Sequence, residues 1–180
     1  MELTATPLAG AFIVEPKLWK DERGSFFESW NARDFEAAGI PASFVQENQS
    51  KSAKGVLRGL HFQNPNPQAK LVRVVSGAVH DVIVDLRRSS ATFGHWFAVE
   101  LSSENRRMLW VPEGFAHGFL SLTDEAELFY KCTEYYSPSD EWTLAWDDPD
   151  IAIEWPLERA PILSGRDANG CPFDRIAAFP

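Results

Sequence analysis

A succession of short β-branched runs separated by turn residues constrains this chain more than any other feature. From Ala69 to Arg87 it reads as strand, turn, strand. Leu71-Val-Arg-Val-Val75 is followed by Ser76-Gly77, and Val79-His-Asp-Val-Ile-Val-Asp-Leu86 resumes the run. Further strands are expected at Ala11–Pro16, Ser25–Trp30, Trp96–Leu101, Arg107–Val111 and Glu127–Tyr135, with Gly, Pro, Ser, Asn or Asp between them. One helix is expected, Asn31–Ala38, where Asn31 can cap, Asp34 takes the third helical position and Gly39 can end it. Many short strands without alternating helices imply an all-β antiparallel sandwich or closed barrel. No repeat, low-complexity tract or linker divides residues 1–180, so a single domain is expected. From Pro138 onward Asp, Pro and Trp become frequent, which implies irregular coverage packed across the strands.

At 180 residues, 44% of them hydrophobic, the chain can bury one substantial core. Its net charge of -9 argues against non-specific binding to nucleic acid, which needs a field rich in Lys and Arg. A small anionic ligand stays open, because a few inward arginines suffice for one. Cys132 and Cys171 lie far apart with no metal-ligand spacing, so a reducing cytoplasm is the simplest setting. The N-terminus carries no basic patch followed by an apolar run, and no apolar stretch approaches membrane-spanning length.

The chemistry-bearing residues begin with Lys54-Gly-Val-Leu-Arg-Gly-Leu-His-Phe-Gln63, which sets Arg58 three residues from His61. An arginine can hold an anion and a histidine can move a proton near neutral pH. The remaining histidines are His80, His95 and His117. Asp81 shares a strand face with Val79 and Ile83, so its charge needs a cation or a ligand as partner; a structural ion pair and a functional carboxylate are both open. His61 is either a satisfied structural histidine or a base, and Arg58 and Lys70 favour an anionic ligand or a developing negative charge beside it. His117 lies in Val111-Pro-Glu-Gly-Phe-Ala-His-Gly-Phe119, a glycine-flanked segment that reads as a turn able to position a ligand. Tyr130 reads as a packing residue unless it lies near His61. The histidine spacing defines no metal-ligand set, and neither a phosphate loop nor a Gly-x-Ser-x-Gly elbow is present.

Joined together, the motifs resemble the dTDP-4-dehydrorhamnose 3,5-epimerase family. They are Asp21-Glu-Arg-Gly-Ser-Phe-Phe-Glu28, Gln46-Glu-Asn48, Gly55 through Gln63, Lys70-Leu-Val72, Asp81 with Val-Asp-Leu-Arg87, Pro112 through Phe119, Tyr130-Lys131, and Trp-Pro followed by Leu163-Ser-Gly-Arg-Asp167. They run through nearly the whole chain in order. The resemblance implies a cupin-like antiparallel jelly roll with a few short peripheral helices. It also implies a homodimer without metal or redox cofactor, acting on dTDP-4-dehydro-6-deoxy-D-glucose in a route to activated L-rhamnose.

By the same resemblance His61 is the base, held and polarised by Asp167, and Tyr130 is the acid across the sugar. Lys70 is the cation near a developing enolate, with Asp81 and His117 shaping the polar site. Arg23 and Arg58 engage the sugar nucleotide, whose diphosphate suits their forked donors. Glu28, Gln46, Asn48, Glu141 and Arg166 fall at further binding positions, and Trp142 offers an aromatic surface for thymine. Arg166 departs from the lysine that many relatives carry. Arg23 and Glu28 can enter a partner's site if N-terminal strands exchange across a dimer. Three alternatives stay open: an epimerase inverting only C3 or C5, a sugar-nucleotide binding protein without turnover, and a metal-dependent cupin isomerase or oxygenase.

Overall fold

The computed structural model describes residues 1–40 and 43–180. Its strands in chain order are β1 (Glu2–Ala5), β2 (Phe12–Glu15), β3 (Leu18–Asp21), β4 (Gly24–Phe27), β5 (Gln46–Ala53), β6 (Leu57–Gln63), β7 (Lys70–Ser76), β8 (Ala78–Asp85), β9 (Trp96–Ser102), β10 (Met108–Val111), β11 (Phe115–Ser121), β12 (Glu125–Cys132) and β13 (Glu141–Thr143). They form a six-stranded sheet, β1-β2-β10-β7-β12-β5, a five-stranded sheet, β13-β6-β11-β8-β9, and a separate β3-β4 hairpin. Every ladder is antiparallel. The architecture is the cupin-like jelly roll that the sequence implies.

Side-chain parity explains the layers. Val72, Val74 and Leu128 from one sheet meet Val79, Ile83, Phe115 and Phe119 from the other in the central core. The alternate residues of the five-stranded sheet, Leu60, Phe62, Val82, Val84 and Ala116, point outward and are covered by Leu144, Ile151 and Ile176. This is the irregular coverage expected beyond Pro138, and it accounts for β8 being apolar on both faces. Helix α1 (Ala32–Ala37) covers the outer face of the other sheet through Phe35. The Asn31 side chain accepts from the Arg33 N–H at its start, and Gly39 at φ +78° follows its end. Asp85, fully buried, receives hydrogen bonds from Arg87, Ser90 and Thr92, so the Val-Asp-Leu-Arg motif serves the frame here.

Several expectations are corrected. β12 starts two residues before Glu127 and ends at Cys132 rather than Tyr135, because residues 133–137 leave the sheet. The segment around His117 is no turn: β11 is buried along its whole length and lies at the centre of its sheet. β5 and β6 join the strands without having been expected. Gly59 and Gly118 explain the misreading. A Cβ on Gly59, at φ +117°, would lie 2.6 Å from Gly118 Cα, and one on Gly118 would lie 2.7 Å from the Arg58 carbonyl oxygen. The glycines let two backbones approach where the β6-β11 register shifts, and beside that point His117 pairs with His61.

That contact gives a direct expectation. In Gly118→Ala neither backbone can yield cheaply, so urea unfolding is expected to show a loss of about 2–4 kcal/mol. Gly165→Ala, with open space around the added methyl, is expected to stay within about 0.5 kcal/mol of wild type.

Candidate active site

At one end of the central core the inward-facing residues turn from apolar to polar, and a cavity of about 270 Å³ opens there, near the lower end of ligand-sized clefts. β6 contributes His61 and Gln63, β7 Lys70, β12 Tyr130, β5 Gln46 and Asn48, and β13 Glu141; Phe62, Gln68 and Tyr136 complete the lining. His61 and Tyr130 therefore stand on different sheets and face one space. The alternation that packs Val72 and Leu128 inward also directs Lys70, two residues before Val72, and Tyr130, two residues after Leu128, to the same side.

His61 has a fixed partner. Its Nε2–H donates to Asp167 Oδ1 at 2.6 Å, while Ser164 Oγ donates to Oδ2 at 2.7 Å and the Gly59 N–H to Oδ1 at 3.3 Å. Burial of Asp167 opposes ionisation, but the hydrogen bonds from His61 and Ser164 outweigh it and hold the carboxyl below the usual range. An ionised carboxylate only accepts, so Nε2 carries the proton and Nδ1 keeps the free lone pair. A neutral imidazole held this way can take a proton from carbon, and the carboxylate stabilises the imidazolium that results.

Asp81 and His117 form a second pair behind the cavity. His117 Nε2–H is shared between both Asp81 oxygens at 2.9 and 3.0 Å, and the residues are 7% and 0% exposed. This settles the partner of Asp81 and the face on which it lies. Lys70 is 9% exposed and makes no ion pair or side-chain hydrogen bond among the described residues. Burial pushes its ammonium down from the ordinary lysine value, against the pull of Cys132, Asp81 and Glu141. Burial likewise raises the Tyr130 phenol, an effect that the Arg58 charge partly offsets. A protonated phenol and a poorly solvated cation are suited to donating a proton and to stabilising an oxyanion.

Arg58 is not among the lining residues, but its charge acts on Tyr130; its Nε donates to Ser52 Oγ at 3.0 Å and its Nη2 to the Lys51 carbonyl at 3.2 Å. At the mouth Arg166 pairs with Glu141, which also accepts from the Tyr136 hydroxyl at 2.6 Å. Gln46 Oε1 accepts from the Tyr136 N–H, and Gln46 Nε2 donates to Asn48 Oδ1. Three expected residues lie elsewhere. Arg23 is paired with Asp21 on the β3-β4 hairpin, and Glu28 accepts from Asn31 beside it. Trp142 is one residue from Glu141, so strand parity sends it to the outer face. There it stacks on Phe62 with ring centroids 6.5 Å apart and donates its Nε1–H to the Asn64 carbonyl. Trp142 is therefore not among the residues that line the cavity. Tyr136, half-exposed, lines the cavity together with Tyr130 and Phe62.

Sequence reasoning also missed Gln63, Gln68 and Ser164. Gln63 and Gln68 had no signal beyond their type, whereas Ser164 stands three residues before Asp167, a spacing that marks a capped turn. Among the described residues no cluster of three or more His, Cys, Asp or Glu groups is placed to hold a metal ion. No helix among them is long and apolar enough to cross a membrane.

The family model for dTDP-4-dehydrorhamnose 3,5-epimerase matches residues 5–175. The chain is 50% identical over 181 residues to the dTDP-4-dehydrorhamnose 3,5-epimerase of Pseudomonas aeruginosa, with 100% of both chains covered. It is 54% identical over 170 residues to the protein of that name from Methanothermobacter thermautotrophicus, covering 93% of this chain and 92% of the relative. Among solved structures, the dTDP-6-deoxy-D-glucose-3,5-epimerase of Legionella pneumophila in complex with dTDP-4-keto-L-rhamnose superposes with a TM-score of 0.95. That protein is 48% identical, with 97% of this chain and 94% of the other covered.

Proposed function

The chain belongs to the dTDP-4-dehydrorhamnose 3,5-epimerase family, and from that premise we propose that it inverts C3 and C5 of dTDP-4-dehydro-6-deoxy-D-glucose to give dTDP-4-dehydro-L-rhamnose. Both carbons flank the C4 ketone, so removing a proton from either develops an enolate whose charge rests on the ketone oxygen. His61 removes the proton through Nδ1, with Asp167 stabilising the imidazolium. Lys70 faces the enolate oxygen, and the Asp81–His117 pair holds the buried polar wall behind it. Tyr130 returns a proton from the opposite face, which inverts the centre. Carbon oxidation states are unchanged, so no redox partner is needed; after each inversion His61 releases its proton to solvent and Tyr130 regains one from it before the next.

The observation that carries this reading is the cavity shared by His61 and Tyr130 from opposite sheets, with His61 already bonded to an ionised carboxylate. Arg58 and Arg23 are the cations assigned to the diphosphate, with Gln46, Asn48, Glu141 and Arg166 contacting the sugar nucleotide. A homodimer completes the assignment. The β3-β4 hairpin exposes Trp19 and Phe26 and pairs with no other strand among the described residues, whereas β1 and β2 are built into their own sheet. The hairpin is thus the segment suited to carry Arg23, with neighbouring Glu28, into a partner's site. Incubation with dTDP-4-dehydro-6-deoxy-D-glucose, followed by product stereochemistry, tests the function. The L-rhamno product is expected, and tight binding without product or solvent exchange would instead make the chain a binding module.

A further inference from the structure

Ser164 and Asp167 are bonded twice. Ser164 Oγ accepts from the Asp167 N–H at 3.1 Å and donates to Asp167 Oδ2 at 2.7 Å. The Ser-x-x-acid spacing is that of a helix capping pair, and here it opens the short 3-10 turn Asp167–Asn169, where the Ala168 N–H donates back to the Ser164 carbonyl at 3.0 Å. In the usual capping pair the acidic side chain folds back to the first residue's own N–H. Asp167 makes no such bond among the described residues. Its Oδ2 takes the serine hydroxyl, and Oδ1 is left to the Gly59 N–H and to His61 Nε2.

We propose that Ser164 is a positioning residue for the reaction: by holding Oδ2 it fixes the plane of the Asp167 carboxylate so that Oδ1 meets Nε2 of His61 and Nδ1 stays free as the base. This rests on the assignment of His61 and Asp167 as the base pair. The hydroxyl also favours the ionised carboxylate against the burial that opposes it. The charged or titratable groups beside Asp167 are His61 from β6 and Arg166 on its own turn, and Arg166 is turned away to Glu141. Among the described residues the carboxylate thus pairs with no cation other than His61. Ser164 itself is exposed, so an added methyl group has room.

The test compares Ser164→Ala, Ser164→Thr and His61→Asn as functions of pH. In Ser164→Ala kcat is expected to fall about tenfold with KM within about twofold of wild type, because the lost bond orients the base rather than the substrate. The acid-side midpoint of turnover is expected to rise, since a carboxylate with one donor fewer lets the His61–Asp167 pair hold its proton more tightly. Ser164→Thr keeps the hydroxyl and is expected to restore both. A Ser164→Ala enzyme with wild-type kcat and midpoint, or with a loss confined to thermal stability, overturns the proposal; so does a Ser164→Thr enzyme as impaired as the alanine variant. Normal turnover in His61→Asn removes the base pair itself. An inactive His61→Asn beside a normal Ser164→Ala removes only the role of Ser164.

Discussion

Replacing His61 by asparagine is expected to cut turnover by roughly 10³-fold or more while leaving the thermal midpoint close to wild type. The asparagine amide stands where Nδ1 was and falls short of Asp167 Oδ1, which His61 Nε2 holds at 2.6 Å, but the carboxylate keeps the Ser164 hydroxyl and the Gly59 N–H, so the turn that carries it stays closed. What disappears is the Nδ1 lone pair assigned to accept the carbon-bound proton. Binding of dTDP should be nearly unaffected, because the nucleotide is assigned to Arg23, Arg58 and Arg166 rather than to the imidazole. A fluorescence titration alongside the rate separates the two effects. Near-normal turnover would remove His61 as the base, and a collapsed thermal midpoint would make it structural.

Tyr130→Phe is expected to separate exchange from inversion. The base can still form the enolate and return solvent protons to the same face, so the substrate should exchange at the carbons beside the ketone while inversion falls by about 10²-fold or more. Burial raises the phenol above its ordinary value, so Tyr130 keeps its proton throughout the neutral range. Lys70 is shifted the other way, and its charge is needed in the protonated form. An alkaline loss of activity below the ordinary lysine range is therefore assigned to Lys70 and should persist in Tyr130→Phe. A variant that inverts at wild-type rate would show that some other group donates the second proton.

The missed strands were hidden for two different physical reasons. β7 and β8 pack apolar side chains on the central core, and β8 on its outer face as well, so their composition announces them. β5 reads Gln-Glu-Asn-Gln-Ser-Lys-Ser-Ala, with Gln46 and Asn48 turned to a polar cavity and Glu47 and Gln49 to solvent. A strand with a polar face on each side has no hydrophobic period to detect. β6 and β11 were hidden by Gly59 and Gly118, which look like turn residues but mark the closest approach of two central strands.

The site divides along similar lines. Strand parity placed Asp81 on the inner face, and the same rule applied to Glu141–Thr143 would have turned Trp142 outward. The joining of His61 to Asp167 spans 106 positions and came from motif resemblance, since no local pattern could supply it. The Asp81–His117 pair likewise depends on the register of β8 against β11. Tyr136 had no signal because it lies in the irregular connection between β12 and β13, fixed by Gln46 at its backbone and Glu141 at its hydroxyl.

The central claim is that one base and one acid on opposite walls act in turn on both carbons beside the ketone. Turnover of dTDP-4-dehydro-6-deoxy-D-glucose in deuterium oxide, with the product read by NMR at each carbon, tests it most directly. The account predicts inverted configuration and solvent deuterium at both C3 and C5. Label and inversion at a single carbon, or inversion without any solvent label, would contradict it.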